Sequence, residues 1–541
     1  MKIIEKIENN IVSYFGIIAL IGLFNSLPFV IYKYHFIRNI SVVSLIFKAI
    51  YLYVTVTLFF VGVFGICVLI SSKLAKYIIY FIGVISALLF FIDISLLINF
   101  RTLINRQTIQ ILFESNRAES IEFLKQYFDI RIVIICIVVI LLMCLSKFIV
   151  IRFNLKVLKV ILFLSIIQLI IYKPIFRAIP FTRLFFSLQN SYRNIKVYNN
   201  IANKISNDVN ITEINNKLID NVVIIIGEST SRNHMNLYGY VQENNPLLKS
   251  RNLYKYTDII SPHSHTLAVL KKVLTFYNTE SDKEWFEYSN IIDIMQKAGY
   301  ETYWISNQET MGDTGNIAAA LGRRSKNVIF NEIRDTSETQ NKFDYDIVKK
   351  SQSFVDFKSK NFIVYHLLGT HYLYKYRYPK EFSKFSPENY SDGLEKNKRQ
   401  YIAEYDNAVL YNDYVINEII KMYENKESIV IYFSDHGEEV NDFRDFIGHT
   451  ESNLSRYMIE IPFIIYTSDK FIQNYPQKVE QIKKSLNRPY MTDDVIHTIL
   501  DIADIKTIEF DETRSIINDK FVPRDRIIQD KSYDNYWKNL N

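Results

Sequence analysis

Three long apolar runs in the first hundred residues constrain this chain more than any other feature. Residues 11–32 and 49–72 carry no charge, and 77–100 carries only Asp93. Each exceeds the roughly 18–20 apolar residues that cross a bilayer. The first is too long for a cleaved leader and the others repeat it, so they read as spans. A fourth run starts at Ile132. Its uncharged part ends at Ser146, and it continues past Lys147 through Phe-Ile-Val-Ile with the lysine snorkelling. A fifth covers about 155–172, of which Val160–Tyr172 is uncharged. Five spans place the N-terminus and the C-terminal half on opposite sides. Lysines and arginines at 2–6, 73–76 and 147–159 mark the cytoplasmic side, which predicts an exported C-terminal half. The polar 101–130 segment reads either as helices on the membrane surface or as a solvated loop. Asp93 is either a functional intramembrane carboxylate or an interfacial residue.

The pattern changes after Pro174. Residues 181–218 are polar and amphipathic, and predict a bridging helix near the bilayer. From 221 onward, short β-branched runs alternate with helical patterns. Strands are predicted at Val222–Ile226, Thr302–Ile305, Phe362–Tyr365, Ile429–Phe433 and Pro462–Tyr466, with a long helix over about 395–424. This alternation implies an α/β domain with a largely parallel sheet. The predicted division is 1–175 (membrane), 176–218 (linker) and 219–541 (soluble). All three cysteines, Cys67, Cys136 and Cys144, lie in the first half. The second half therefore has no disulfide framework, no cysteine-based zinc site and no cysteine nucleophile. The net charge of +6 is small for 541 residues, and no basic stripe is interleaved with stacking aromatics, which argues against nucleic acid as a partner.

Two predicted strands end in polar chemistry, Gly227-Glu228-Ser-Thr-Ser-Arg-Asn-His234 and Ser434-Asp435-His436-Gly437-Glu438. Ligands of open α/β sheets bind outside the carboxyl ends of the strands, so Glu228 and Asp435-His436 are expected to converge there. Their oxygen and nitrogen donors suit zinc or manganese. Between them lies Ser261-Pro-His-Ser-His-Thr266, followed by an apolar helical pattern over 267–276. Thr266 at that helix start is either a cap or a nucleophile. As a fourth ligand its hydroxyl would be activated by the metal. Each motif alone has a structural reading: Asp-His-Gly as a turn, Glu228 as a first-turn helix acid. Six of the nine histidines, His263, His265, His366, His371, His436 and His449, fall beside these motifs. Imidazoles hold phosphate oxygens or protonate leaving alkoxides. His366, within a strand end, reads most readily as structural.

Taken together, Gly227–Tyr240, Ser261–Thr266, Trp304-Ile-Ser-Asn-Gln308, Gly369-Thr-His371, Tyr405-Asp-Asn-Ala-Val409 and Ser434–Glu438 resemble the phosphoethanolamine transferases of Gram-negative bacteria. These are membrane-anchored members of the alkaline phosphatase and sulfatase superfamily. The resemblance implies five transmembrane helices plus an α/β sulfatase-like soluble domain, held by the inner membrane with its catalytic domain in the periplasm. It implies zinc on Glu228, Thr266, Asp435 and His436, with Thr266 as the nucleophile. Phosphatidylethanolamine is the implied donor, and lipopolysaccharide, through its core or lipid A, or another envelope molecule the acceptor. His371, His449, Asn307 and His265 are the implied substrate-binding residues.

Two departures accompany the resemblance. The soluble half lacks the disulfides usual in lipid A enzymes, and the position of a family lysine falls near Met311. Lys271, Lys272 and Arg377 are the candidates to replace that cation. The landmarks resemble the core-modifying branch more closely. Two other readings are a glycerol-phosphate transferase of the lipoteichoic-acid-synthase type and a non-catalytic membrane-anchored binding domain. A sulfatase activity lacks its Cys/Ser-x-Pro-x-Arg context around Thr266.

Overall fold

The computed structural model describes residues 2–36, 42–106, 108–109, 112, 130–149, 160–161, 163–165, 175–202, 209–215, 217–308, 317–330 and 343–539. Most of the fifth apolar run, most of 101–130, and Met311 lie outside the described residues. The chain forms two compact units, 1–115 with 119–194, and 195–541 with 116–118.

In the first unit the apolar runs form α1 (Lys2–Phe36), α2 (Val42–Ile70), α3 (Ser72–Phe100) and α4 (Ile130–Ser146). The first three are long and apolar enough to cross a membrane, and α4 is a shorter apolar helix of 17 residues. Ile11, Ile18 and Ile21 of α1, Val56 and Phe64 of α2 and Ile79 of α3 share one buried cluster, while many other apolar side chains face outward. That reversal of the soluble pattern fits helices solvated by lipid. Asp93 is buried on α3. It accepts from the Ile104 amide at 2.8 Å and forms an ion pair with Arg183.

The amphipathic stretch after Pro174 is helical over Pro180–Ala202 (α5). The predicted helix does not reach 218: Ile211–Ile214 is a strand, paired antiparallel with Ile505–Thr507. Three of its four residues, Ile211, Thr212 and Ile214, are β-branched, which favours an extended ladder over another helical turn.

The second unit is built on a seven-stranded sheet. Its strands in chain order are β1 (Asn221–Gly227), β2 (Tyr254–Lys255), β3 (Glu301–Ser306), β4 (Asn327–Phe330), β5 (Asn361–His366), β6 (Ser428–Ser434) and β7 (Phe463–Thr467). The spatial order is β2–β7–β6–β1–β5–β3–β4. Strands β6, β1, β5, β3 and β4 are parallel, and β7 and β2 add an antiparallel edge. Every residue of β1, β5 and β6 is buried, as expected of central parallel strands covered on both faces. Val222, Ile224 and Ile226 face one core and Val223 and Ile225 the other, following the period of two. The long helix α7 (Lys396–Tyr423) covers the second face, and α6 (Thr266–Val273) lies on the first.

Candidate active site

Register brings the functional residues to one edge. Gly227 pairs with Ser434, Ile226 with His366, and His366 with Ser306. The residues that follow, Glu228, Asp435, Leu367 and Asn307, therefore leave the sheet side by side at its carboxyl end. Glu228, Asp435 and His436 are all buried, and their ligand atoms lie within 4.8 Å of one another. Ser229 turns the chain sharply with a φ of 56°. Its amide donates to Asp435 Oδ1 at 3.1 Å and its hydroxyl to Glu228 Oε1 at 2.9 Å.

Thr266 joins this cluster from a separate loop. Its hydroxyl donates to the Glu228 carboxylate, at 3.2 and 3.1 Å from the two oxygens, and lies 3.5 Å from His436 Nε2. Thr266 is the first residue of α6 and His265 occupies the N-cap, so the hydroxyl is turned to the carboxylate and not to the helix backbone. The loop is pinned by the Ser261 amide to the Ile459 carbonyl (2.8 Å) and by the Ser264 amide to Glu451 (2.7 Å). His263 Nδ1 also meets Glu451, at 3.2 Å.

The donor set fits a divalent cation. His436 Nδ1–H donates to the Gly437 carbonyl at 2.8 Å, which leaves Nε2 toward Glu228 Oε1 (3.3 Å) and Asp435 Oδ2 (3.5 Å). Asp435 Oδ2 is buried with no hydrogen-bond partner among the described residues. Burial and the neighbouring Glu228 push the Asp435 carboxyl up to about 8. Burial also opposes ionisation of Glu228, but hydrogen bonding and charge from His436 prevail and hold it well below the usual carboxylate range. Two buried carboxylates this close need a compensating positive charge.

A second group flanks the first. His449 Nδ1 meets Glu438 Oε2 at 2.6 Å, and its ring centroid lies 4.2 Å from that of His436. Tyr374 donates to the other Glu438 oxygen at 2.6 Å. His436, Glu438 and His449 form a second set of close ligand atoms. His371 lies near the charges of Glu228, His436 and His449. Its Nδ1 is buried without a hydrogen-bond partner among the described residues, and burial lowers the imidazole to about 3. The preceding Gly369 has φ 51°, and a Cβ there would meet the Glu228 backbone at 2.9 Å. Glycine is therefore required for this loop to lie against β1's end.

Other expected residues have more definite structural partners. The Asn307 amide donates to Asp344 Oδ1 at 2.7 Å, and the same carboxylate group accepts from the amides of Leu368 and Gly369. The neighbouring Gln308 instead reaches the Glu228–Asp435–His436 cluster, donating to Glu228 Oε2 at 2.9 Å. The His265 ring lies 6.1 Å from that of His263, and burial lowers it to about 3. His366 sits in the strand end against Trp304, as its position implied. Arg377 donates to the carbonyls of His371 and Tyr372, which places a guanidinium directly behind the His371 loop. Lys271 and Lys272 lie over the rings of Trp285 and Tyr277. Glu438, Gln308 and Asp344 are the site residues that residue-by-residue reading did not single out.

The chain is similar to proteins of known name and structure. Phosphoethanolamine transferase EptC of Escherichia coli K12 is 35% identical over 313 residues, 56% of this chain and 53% of that protein. The chain thus spans about half the length of that curated relative. The C-terminal periplasmic domain of EptC from Escherichia coli, solved in complex with zinc, is 33% identical with a TM-score of 0.55, covering 59% of this chain and 92% of that domain. The fold extends further: the integral membrane protein lipooligosaccharide phosphoethanolamine transferase A of Neisseria meningitidis matches over 92% of this chain and 97% of its own, with a TM-score of 0.65 at 20% identity. The sulfatase profile matches residues 220–505, more than half of the 541, and its span runs from the start of β1 through the Asp435-His436 strand end to Ile505. With its parallel sheet and its strand-end carboxylates, this chain belongs to the sulfatase family.

Proposed function

We propose that the protein transfers phosphoethanolamine from phosphatidylethanolamine to lipopolysaccharide or a related envelope acceptor. The observation that carries this reading is the Thr266 hydroxyl, which donates to Glu228 inside the buried Glu228–Asp435–His436 cluster. The 35% identity to a phosphoethanolamine transferase supports the choice of transferred group.

In this reading Thr266 Oγ attacks the phosphorus of the lipid. An Oγ–P bond forms, the bond from phosphorus to the diacylglycerol oxygen breaks, and the proton leaves along the Thr266–Glu228 hydrogen bond. Glu228, Asp435, His436 and Thr266 would hold zinc, in keeping with the zinc complex of the EptC domain; manganese suits the same donors. When bound, such a cation lowers the pKa of the hydroxyl and polarises the phosphoryl oxygen. His449, oriented through Nδ1 by Glu438, and His371 face the transferred group, and His449 gives a proton to the leaving diacylglycerol. An acceptor hydroxyl then attacks the same phosphorus, and Thr266 is regenerated. The acceptor gains a phosphodiester anion and an ammonium together, so its net charge is unchanged, and the new ammonium can pair with a neighbouring lipopolysaccharide phosphate in place of a cationic peptide.

The apolar helices give this chemistry its setting. The proposed setting is five spans in the inner membrane with a periplasmic catalytic half; three long apolar helices among the described residues and the charge bias support a membrane anchor. The domain limits proposed are 1–175 for the membrane part, 176–218 for the linker and 219–541 for the catalytic part.

The test is peptide mass spectrometry on the purified chain incubated with phosphatidylethanolamine and no acceptor. A phosphoethanolamine adduct on Thr266, absent from Thr266→Ala, is expected. A glycerol-phosphate adduct from phosphatidylglycerol would replace the reading with glycerol-phosphate transfer. An absence of any adduct from zinc-loaded protein would remove Thr266 from its role.

A further inference from the structure

We infer that the first unit carries a binding site for the phosphate of an acidic glycerophospholipid, formed by Arg106, Arg177 and Arg183. The inference rests on the membrane setting proposed above and is independent of the transfer chemistry.

The site is a cavity of about 490 Å³ lined by these arginines with Ile104, Phe186 and Ser187. No carboxylate lines it among the described residues. Asp93 lies behind Arg183 and pairs with it, so one of the three guanidinium charges is balanced, and among the described residues the other two have no carboxylate partner. Arg183 is also locked in place, since its Nε donates to the Ile104 carbonyl at 3.1 Å and its Nη1 to the Ala178 carbonyl at 2.5 Å. One wall of the cavity is therefore rigid, while the side chains of Arg106 and Arg177 are exposed.

The helix that supplies Arg183 is itself suited to a membrane surface. On α5, Phe181, Phe185, Leu188 and Tyr192 are exposed and follow one another at i, i+4, i+7 and i+11. They make one apolar stripe. Arg183 and Ser187 lie on the opposite side of the helix, where Ser187 and Ser191 are buried. A helix with an exposed apolar stripe lies along the headgroup boundary, which brings the arginine cavity to the depth of lipid phosphates.

The charge balance selects the lipid. Guanidinium groups bind phosphate oxygens through paired N–H donors, and basic pockets beside membrane helices recognise anionic headgroups. A zwitterionic lipid would add an ammonium to a cavity that carries two positive charges uncompensated among the described residues. An acidic lipid such as phosphatidylglycerol adds none.

The experiment reconstitutes the full chain in nanodiscs of phosphatidylcholine with equal amounts of phosphatidylglycerol and phosphatidylethanolamine, and counts retained lipids by native mass spectrometry. The unmodified chain should retain phosphatidylglycerol over phosphatidylethanolamine by about tenfold or more. Arg106→Gln with Arg177→Gln should lose that preference while keeping its thermal unfolding profile, since both side chains are exposed. Lys73→Gln with Lys76→Gln should keep the preference. Equal retention of the two lipids, or a preference unchanged in the double arginine variant, overturns the inference alone. A chain that does not enter the nanodisc overturns the membrane setting with it.

Discussion

His449 Nδ1 and Glu438 Oε2 lie 2.6 Å apart, with Glu438 fully buried and Tyr374 on its other oxygen. The carboxylate thus fixes which ring nitrogen of His449 bears the proton and which faces the site. Glu438→Gln keeps the shape and removes the charge, and transfer activity should fall by about 10- to 100-fold. Tyr374→Phe should cost less, because one of two partners of Glu438 survives. Steady-state transfer with zinc-loaded protein checks both, and equal activity of Glu438→Gln and the parent would dismiss the orienting role.

Gly369→Ala should cost stability and activity together. Its φ of 51° is strained for alanine, and the new Cβ would press on the Glu228 backbone at 2.9 Å. A strain of about 1–3 kcal/mol is expected. Because the displaced atoms belong to Glu228, a proposed zinc ligand, metal affinity should fall as well. Thermal unfolding with and without added zinc separates the two effects.

His234 predicts a pH dependence. It is buried between Asp406 (3.3 Å) and Asp442 (2.9 Å). Burial opposes its charge, but the two aspartates raise the imidazole to about 10. Its ordinary value is about 6.5. The folded value is the higher one, so the stabilisation is fully present below about pH 6.5 and is lost as pH rises through about 10. Thermal unfolding followed from pH 6 to 10 should decline across that window, and the decline should flatten in His234→Gln. His234→Ala leaves two buried carboxylates without their cation and should destabilise by about 3–5 kcal/mol.

If the Glu228–Asp435–His436 cluster holds zinc as proposed, removal of metal should abolish transfer and lower thermal stability, since such an ion would bind the folded cluster and not the unfolded chain. Re-addition of zinc should restore both in the parent chain. In Asp435→Asn the restoration should fail. Gln308→Ala, which removes one of two donors to Glu228 Oε2 and leaves Thr266, should shift the zinc requirement upward without abolishing activity.

The strands that carry the chemistry are legible in the sequence because they are buried on both faces. Asn-Val-Val-Ile-Ile-Ile-Gly and Ser-Ile-Val-Ile-Tyr-Phe-Ser leave little alternative to central parallel strands, and their polar ends announce Glu228 and Asp435. Strand β4, Asn327–Phe330, escapes that logic. It is a four-residue edge strand, half-buried throughout, and its composition is that of many loops. The stretch at 211–214 is misread as helix because four residues carry too little periodicity to separate the two. Thr266 and the His436 pair are found by residue type and position after a strand or before a helix. Glu438 is not, although it lies two residues from His436: its role depends on Tyr374, 64 residues away, and on the hairpin that returns His449. Gln308 is hidden beside Asn307, whose amide turns to Asp344.

Asp344 accepts from the Asn307 side chain and from the amides of Leu368 and Gly369, so a single carboxylate ties the loop after β3 to the loop after β5. For anyone building chimaeras from relatives of this chain, those two loops form one cassette. Exchanging either alone would pair a foreign loop with a native Asp344 and tilt the segment that carries His371. Loop transplants should therefore carry 307–308, Asp344 and 367–371 together, and a break point placed between β3 and β5 is the one to avoid.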